Sequence, residues 1–312
     1  METGLQTVQQ LAAALLDLAA AVLMGAAASR VWLGGGVSGW AAGRRERVRK
    51  IAILGAVLAL AADVAVLWLE AAAMAEVPPL QAAGAVWTLL TATHLGRAWS
   101  IGMAGLAVAT AATCSRAARN SRPVALTLLS LAVFWYTRSL ASHAASDGDV
   151  SLRLLADWVH LNLTGLWVGA VLVAGAIALK PVGRMSPADR HARVAYVASL
   201  SNAATIALAG IAATGLYAAW RGLGAWDRLL GNAYGNTLAI KVALVGVAAA
   251  LGGFNRFVVM PAWRARASAG DPSDGLLPAR FRRVLWIESL VLLAVVVLAA
   301  WLAATPPGES IE

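Results

Sequence analysis

"IAILGAVLALAADVAVLWLEAAAMA", residues 51–75, is apolar apart from Asp63 and Glu70. A helix rises 1.5 Å per residue, so roughly 20 apolar residues cross the ~30 Å hydrocarbon layer of a bilayer. This stretch is long enough to do so, and others like it recur along the chain. We read eight, at 6–29, 51–75, 94–113, 123–142, 153–179, 196–220, 237–260 and 283–304. The whole chain agrees: 60% of its 312 residues are hydrophobic, 13% are charged and the mean hydropathy is +0.71. Soluble domains do not have that mix. Alanine and glycine are frequent inside the segments, which suits closely packed membrane helices. The expected fold is therefore all-α, a polytopic bundle of about eight transmembrane helices in a lipid bilayer, with residues 1–312 forming a single integral-membrane domain. The first segment lacks a preceding basic region and a convincing cleavage site, so we read it as a retained helix.

Charge sorts the connections. Arg30, Arg44, Arg45, Arg47, Arg49 and Lys50 crowd residues 30–50, and Arg116, Arg119 and Arg122 follow the third segment. Lys180, Arg184, Arg190 and Arg193 follow the fifth, and Arg264, Arg266, Arg280, Arg282 and Arg283 precede the last. The alternate connections hold only Arg153, Arg221 and Arg228. By the positive-inside rule the basic connections are cytoplasmic, which puts both termini in the periplasm of a bacterial inner membrane. Topogenesis accounts for the net charge of +9, so nucleic acid need not be invoked. Trp68, Trp99, Trp158, Trp220, Trp226 and Trp301 fall near segment ends, as an aromatic belt requires. The single cysteine, Cys114, excludes an intramolecular disulfide and reads as a packing residue.

This topology gives the polar residues depths. His94 opens the third helix, His143 closes the fourth, and His160 lies about seven residues into the fifth, roughly 10 Å below the same face. His191 reads as a solvated loop residue. Neutral imidazole suits copper, zinc and iron, so three histidines on one face point to a metal site. Asp157, one turn before His160, and Thr164, one turn after it, are placed to hold the second ring nitrogen. Met74 and Met103 are soft thioethers suited to Cu(I). Ionisable residues inside membrane helices are costly, and each is a candidate. Asp17 and Asp63 lie near mid-membrane, and Glu70, Arg97, Arg138 and Lys241 lie nearer the histidine face. Glu70 is placed to pair with Lys241 or an arginine. Arg256 and Glu288 are spaced to pair across the last two helices. The cations near the histidines would repel a copper ion unless neutralised.

Several stretches together resemble one family. "LLGNAYGNTLAIKVALVGVAAALGGFNRF" carries Tyr234, Gly235, Leu238, Lys241, Asn255 and Arg256, and "DWVHLNLTGLWVGA" carries His160, Trp167 and Gly169. "TATHLGRAWS" carries Thr93, Gly96, Arg97 and Trp99, while "SLASHAA" holds Ala141 and Ser142 before His143. "ATGLYAAW" and "ESLVLLAVVVLAAWLAATPP" complete the set, the latter with Glu288 and Pro306-Pro307. In this order they resemble the copper resistance protein D (CopD) family, over most of the chain from about residue 90 onward. The two helices before that resemble it in hydropathy alone. The resemblance implies an inner-membrane copper-handling protein, served by a periplasmic copper chaperone of the CopC type.

Two readings stay open. In the first, copper, as Cu(I) or Cu(II), is received by His143 and His160, with His94 and Met74, and passes inward past Asp63 and Asp17. The inner half shows no run of Met, Cys or His to hand a soft ion on. In the second, two histidines ligate one haem b near the periplasmic face, with Arg97, Arg138 or Lys241 pairing its propionates. The copper reading does not make the protein an enzyme; the haem reading, a redox protein, leaves that question open. Ser139 and Ser142 lie near His143 without a nucleophile elbow. No phosphate loop for ATP is present either.

Overall fold

The computed structural model describes residues 2–34, 38–115, 122–180, 185–223, 233–268 and 276–303. Arg116, Arg119, Arg184, Arg228, Trp226 and Pro306-Pro307 lie outside them. Ten α-helices occur among the described residues: α1 (Glu2–Trp32), α2 (Gly39–Met74), α3 (Ala83–Ala92), α4 (His94–Cys114) and α5 (Arg122–Leu140), then α6 (Leu152–Val173), α7 (Pro187–Leu223), α8 (Ala233–Phe254), α9 (Met260–Ser268) and α10 (Leu276–Ala303). No strand occurs among the described residues. A π-helical turn at Ala174–Ala178 extends α6, and another at Asn255–Val259 joins α8 to α9.

Each of the eight apolar segments is helical over its described length apart from one or two end residues. By length and composition, seven helical stretches are fit to cross a membrane: Gly4–Trp32, Gly39–Met74, Arg122–Leu140, Leu152–Ala178, Pro187–Leu223, Ala233–Arg266 and Leu276–Ala303. α4 has 21 residues, enough in length, but Arg97, Ser100, Thr110 and Thr113 make it less apolar. It packs between α2 and α5. The chain is a multi-pass membrane protein.

Helix ends depart from the hydropathy boundaries where charge misleads. α2 begins twelve residues earlier than residue 51 and α7 nine earlier than residue 196, because their basic first turns remain helical. Ser38 caps α2 by accepting from Ala41 N at 3.2 Å. His191 accordingly sits on α7, where its Nδ1 approaches the Pro187 carbonyl at 2.9 Å. The short apolar α3 was not legible as a helix. Pro78 and Pro79 break the chain before it, and Thr93 caps α4 immediately after it, accepting from Gly96 N at 2.9 Å. Cys114 is exposed at the end of α4, which corrects its reading as a packing residue.

α1 occupies the centre, packed along α2 and α6 and touching α5, α7 and α10. Its crossing with α6 is made by glycine. A Cβ on Gly25 or on Gly169 would overlap the backbone of the other helix. Close approach of this kind gives membrane helices their van der Waals contact where no hydrophobic force separates protein from lipid. α8 sits at the periphery and packs mainly on α10.

Two ends of the bundle are distinct. At the basic end Arg44 donates to the Lys180 carbonyl at 2.8 Å, and Ser38 Oγ and Trp40 N donate to Asp189 at 2.7 and 2.9 Å. There Tyr196 is enclosed between Trp32 and Trp40 and bonds Ser29 at 2.9 Å. At the opposite end Asp147 pairs with Arg221 at 2.6 Å and Arg153 at 3.6 Å. His94 meets Asp149 at 2.8 Å. The basic connections 30–50 and 180–195 therefore share one end of the bundle.

Replacing Gly169 with Val should destabilise the folded protein by at least about 3 kcal/mol, since the added carbons meet backbone and not a side chain that can turn aside. Gly246→Val on α8, where nothing lies within 4 Å of a built Cβ, serves as control. Thermal unfolding in detergent should show a large drop for the first variant and none for the second.

Candidate functional site

α6 carries the main polar residues of the histidine end. Ser151 caps its first turn by accepting from Leu154 N at 3.1 Å. Asp157 and His160 follow on one face, three residues apart, as neighbours on adjacent turns. His160 is partly buried, and its Nδ1 lies 3.0 Å from Thr214 Oγ1 of α7. The Thr214 hydroxyl already donates to the Gly210 carbonyl at 2.7 Å. A hydroxyl has one proton, so Thr214 accepts and Nδ1 carries the ring hydrogen. The lone pair is then left on Nε2, the nitrogen through which a neutral imidazole ligates a metal. Gly215 of α7 lies beside the ring, where a Cβ would make an ordinary contact with His160 Cε1 at 3.4 Å.

Partners differ from those anticipated. Asp157 does not hold His160; Ser142 Oγ donates to it at 3.3 Å. Thr164 Oγ1 is buried with no hydrogen bond among the described residues. Thr214 takes the role assigned to both. A hydroxyl in the "ATGLYAAW" stretch was the available signal, but only the α6–α7 packing brings it to His160.

One of the cations near the histidines has a close counter-ion. Arg138 of α5 pairs with Asp17 of α1 at 3.5 Å and also interacts electrostatically with Asp63 of α2. Asp17 in turn feels Asp157. Lys241 of α8 interacts electrostatically with both Asp157 and His160. Charged and polar groups from α1, α2, α5, α6 and α8 thus form one network beside His160. Trp99 Nε1 donates to the Asp63 backbone carbonyl at 3.2 Å, tying α4 to the same region. Glu70 is not paired with Lys241 or an arginine; its side chain meets Gln9 Nε2 at 3.4 Å.

The remaining candidates lie apart. His94 is exposed and engaged with Asp149, whereas His160 is engaged with Thr214. His143 opens a 3₁₀ turn, His143–Asp147, at the same end and is exposed. Met74 is 62% exposed at the end of α2, and Met103 is half-buried on α4. Arg97 is exposed. Among the described residues no three His, Cys, Asp or Glu side chains gather to hold a metal ion.

Toward the basic end, Glu288 and Arg256 do not pair. Glu288 accepts from Trp167 Nε1 at 3.1 Å, and Arg256 donates to Ser201 Oγ at 2.8 Å and to Asn202 Oδ1 at 3.1 Å. Asn255 Nδ2 donates to the Phe281 carbonyl at 3.2 Å. The three residues of α6 singled out in sequence therefore do three jobs: His160 offers a nitrogen, Trp167 holds Glu288, and Gly169 seats α1.

Residues 4–154 match the family model described as copper resistance protein D-like, N-terminal domain, and residues 194–302 match the model described as copper resistance protein D. A copper resistance protein D from Pseudomonas syringae pv. tomato is 30% identical over 248 residues, which cover 77% of this chain and 74% of that protein. The chain belongs to the copper resistance protein D family. In this CopD-family chain the likeness begins at residue 4 and not at about residue 90, so α1 and α2 share in it. No solved structure matches the chain. Membership ties the protein to copper resistance.

The network makes a specific demand. Changing Arg138 to Met leaves Asp17 and Asp63 without their buried counter-charge, which should cost about 3–5 kcal/mol. Adding Asp17→Asn to that variant should restore part of the loss. A double-mutant cycle by thermal unfolding in detergent measures both effects.

Proposed function

We propose that this protein receives copper at His160 on the periplasmic side of a bacterial inner membrane and passes it across or delivers it at the membrane. The observation that carries this reading is the His160–Thr214 hydrogen bond, which leaves Nε2 free to ligate. His143 at the same end is the second donor, and His94, held by Asp149, is a weaker third. Asp157 acts beside His160 through the Ser142 and Lys241 contacts. Met74 and Met103 are soft groups that would serve Cu(I) in preference to Cu(II). A sparse ligand set suits an ion that is handed on, because conduction needs sites weak enough to release.

The orientation follows from the basic end facing the cytoplasm, which places both termini in the periplasm. Residues 1–312 then act as one membrane domain with no catalytic role and no use of ATP. Copper arrives from a periplasmic chaperone of the CopC type, to which the exposed His143 and His94 are presented. Further inward, Asp63 and Asp17 line the direction of travel, flanked by Glu70, Arg97 and Lys241. Paired aspartates beside the histidine site offset the repulsion that Arg138 and Lys241 would otherwise exert on a cation.

Detergent-purified protein loaded with copper should hold about one equivalent by elemental analysis and show no Soret band. His160→Ala should lose that copper. Thr214→Val, which removes only the group orienting the ring, should weaken binding by about 10–100-fold. Stoichiometric copper retained in His160→Ala would overturn the assignment. A Soret band with matching iron would instead make His143 and His160 haem ligands.

A further inference from the structure

The half of the bundle toward the basic end holds a cavity of about 180 Å³, walled by α6, α7, α8 with its π-helical turn, and α10. A water needs only about 10–15 Å³ of such space, so the cavity has room for several. Trp167, Ser201, Gly252, Asn255, Arg256 and Glu288 line it. Glu288 is 2% exposed and Asn255 is 3% exposed. The Trp167 indole N–H donates to Glu288 Oε1, and Gly252 gives the carboxyl its room, since a Cβ there would lie 3.3 Å from Oε1. Asn255 uses its amide N–H₂ on the Phe281 carbonyl, which leaves Oδ1 buried with no hydrogen bond among the described residues.

The donors and acceptors do not balance. An ionised carboxylate is acceptor-only, and Asn255 Oδ1 is a second acceptor in the same cavity. The indole N–H serves the carboxylate and nothing serves the amide oxygen. Arg256, the other charged residue lining the cavity, is engaged with Ser201 and Asn202. A proton added to the carboxylate converts one acceptor into a donor and supplies what is missing, directly or through a water. A metal cation would need several oxygen ligands, and no such group gathers here among the described residues.

We propose that Glu288 and Asn255 form a proton-binding site toward the basic end of the bundle, separate from the histidine site. Glu288 takes a proton from hydronium, forming the carboxylic acid and water, and returns it by the reverse step. Exposed Thr205 and Phe257 also line the cavity, so it opens at the protein surface between α7 and α8. The π-helical turns Ala174–Ala178 and Asn255–Val259 both pack on α10. Such turns are frequent at functional sites because the extra residue re-aims side chains.

The surrounding elements bring few competing charges. α6 presents Trp167, α7 presents Ser201 and Asn202, the turn at Ala174–Ala178 has no ionisable residue, and the turn at Asn255–Val259 presents Arg256. On α1, Asp17 is paired with Arg138, and Arg30 interacts with Glu46 and Arg49. Arg280 of α10 stacks over Phe254 at 5.0 Å, and Arg282 and Arg283 precede Glu288 on the same helix by between one and two turns. Lys241 of α8 lies three turns or more from Gly252, and Arg264 and Arg266 of α9 lie two turns or more beyond Arg256. The site stands on its own; its role as a coupling ion for copper movement rests on the copper reading above.

Infrared difference spectroscopy of the purified full-length protein in copper-free buffer, stepped through pH, tests the proposal. A carboxylic C=O band should appear as pH falls and disappear as it rises, and Glu288→Gln should lack it. Trp167→Phe should keep the band at a shifted frequency, and this variant decides the matter if Glu288→Gln does not fold. The proposal is overturned by a band unchanged in both variants, by no titrating difference between wild type and Glu288→Gln, or by loss of the band on adding sodium chloride at fixed pH. Copper content measured on the same variants should equal wild type, so failure of the histidine site and failure of the proton site give different results.

Discussion

The contact between Gly25 and Gly169 holds the rest of the structure in place. It lets α1 and α6 meet backbone to backbone, and α1 is the helix around which α2, α5, α7 and α10 are arranged. Inside a bilayer, lipid is as apolar as leucine, so helices associate through close packing and polar contacts. A side chain on either glycine would push α6 away from α1 and carry His160 and Trp167 with it. The spacing of His160, Trp167 and Gly169 along one helix thus links a polar end, a carboxylate holder and a packing seat.

Buried charge is the second constraint. Every polar group in hydrocarbon must find its partner within the protein. Asp17, Asp63 and Asp157 from three helices interact electrostatically with Arg138 and Lys241 from two more, and Asp17 pairs directly with Arg138. The same demand makes Asn255 Oδ1 conspicuous, since it is a buried acceptor without a donor. Both halves hold buried polar atoms without a hydrogen bond among the described residues, Asp63 Oδ2 and Thr164 Oγ1 in one and Asn255 Oδ1 in the other.

The two regions are about 10 Å apart along α6, two helical turns from His160 to Trp167. Their chemistries are complementary. One carries an imidazole nitrogen, which suits a soft ion, and the other carries carboxyl and amide oxygens, which suit a hard one. A copper-resistance protein with both would hold its cargo and a proton two turns apart along one packed helix.

The all-α membrane character, the eight apolar segments and the clustering of basic connections were legible from sequence, because hydrocarbon permits few polar residues over about 20 positions and topogenesis biases Lys and Arg. His160, Lys241, Arg256 and Glu288 stood out as titratable residues inside apolar segments, whereas Trp167, Gly169 and Asn255 stood out only through the resemblance to the family. Helix starts at Gly39 and Pro187 were not legible, since charged turns leave no hydropathy signal while remaining helical. Nor was pairing. Arg256 and Glu288 suit one another by spacing, yet Ser201 and Trp167 claim them; Asp157 and Thr164 suit His160, yet Thr214 holds it. Sequence spacing determines which residues share a helix face. Which helix that face meets is decided by packing between segments dozens of residues apart, and here two glycines set it.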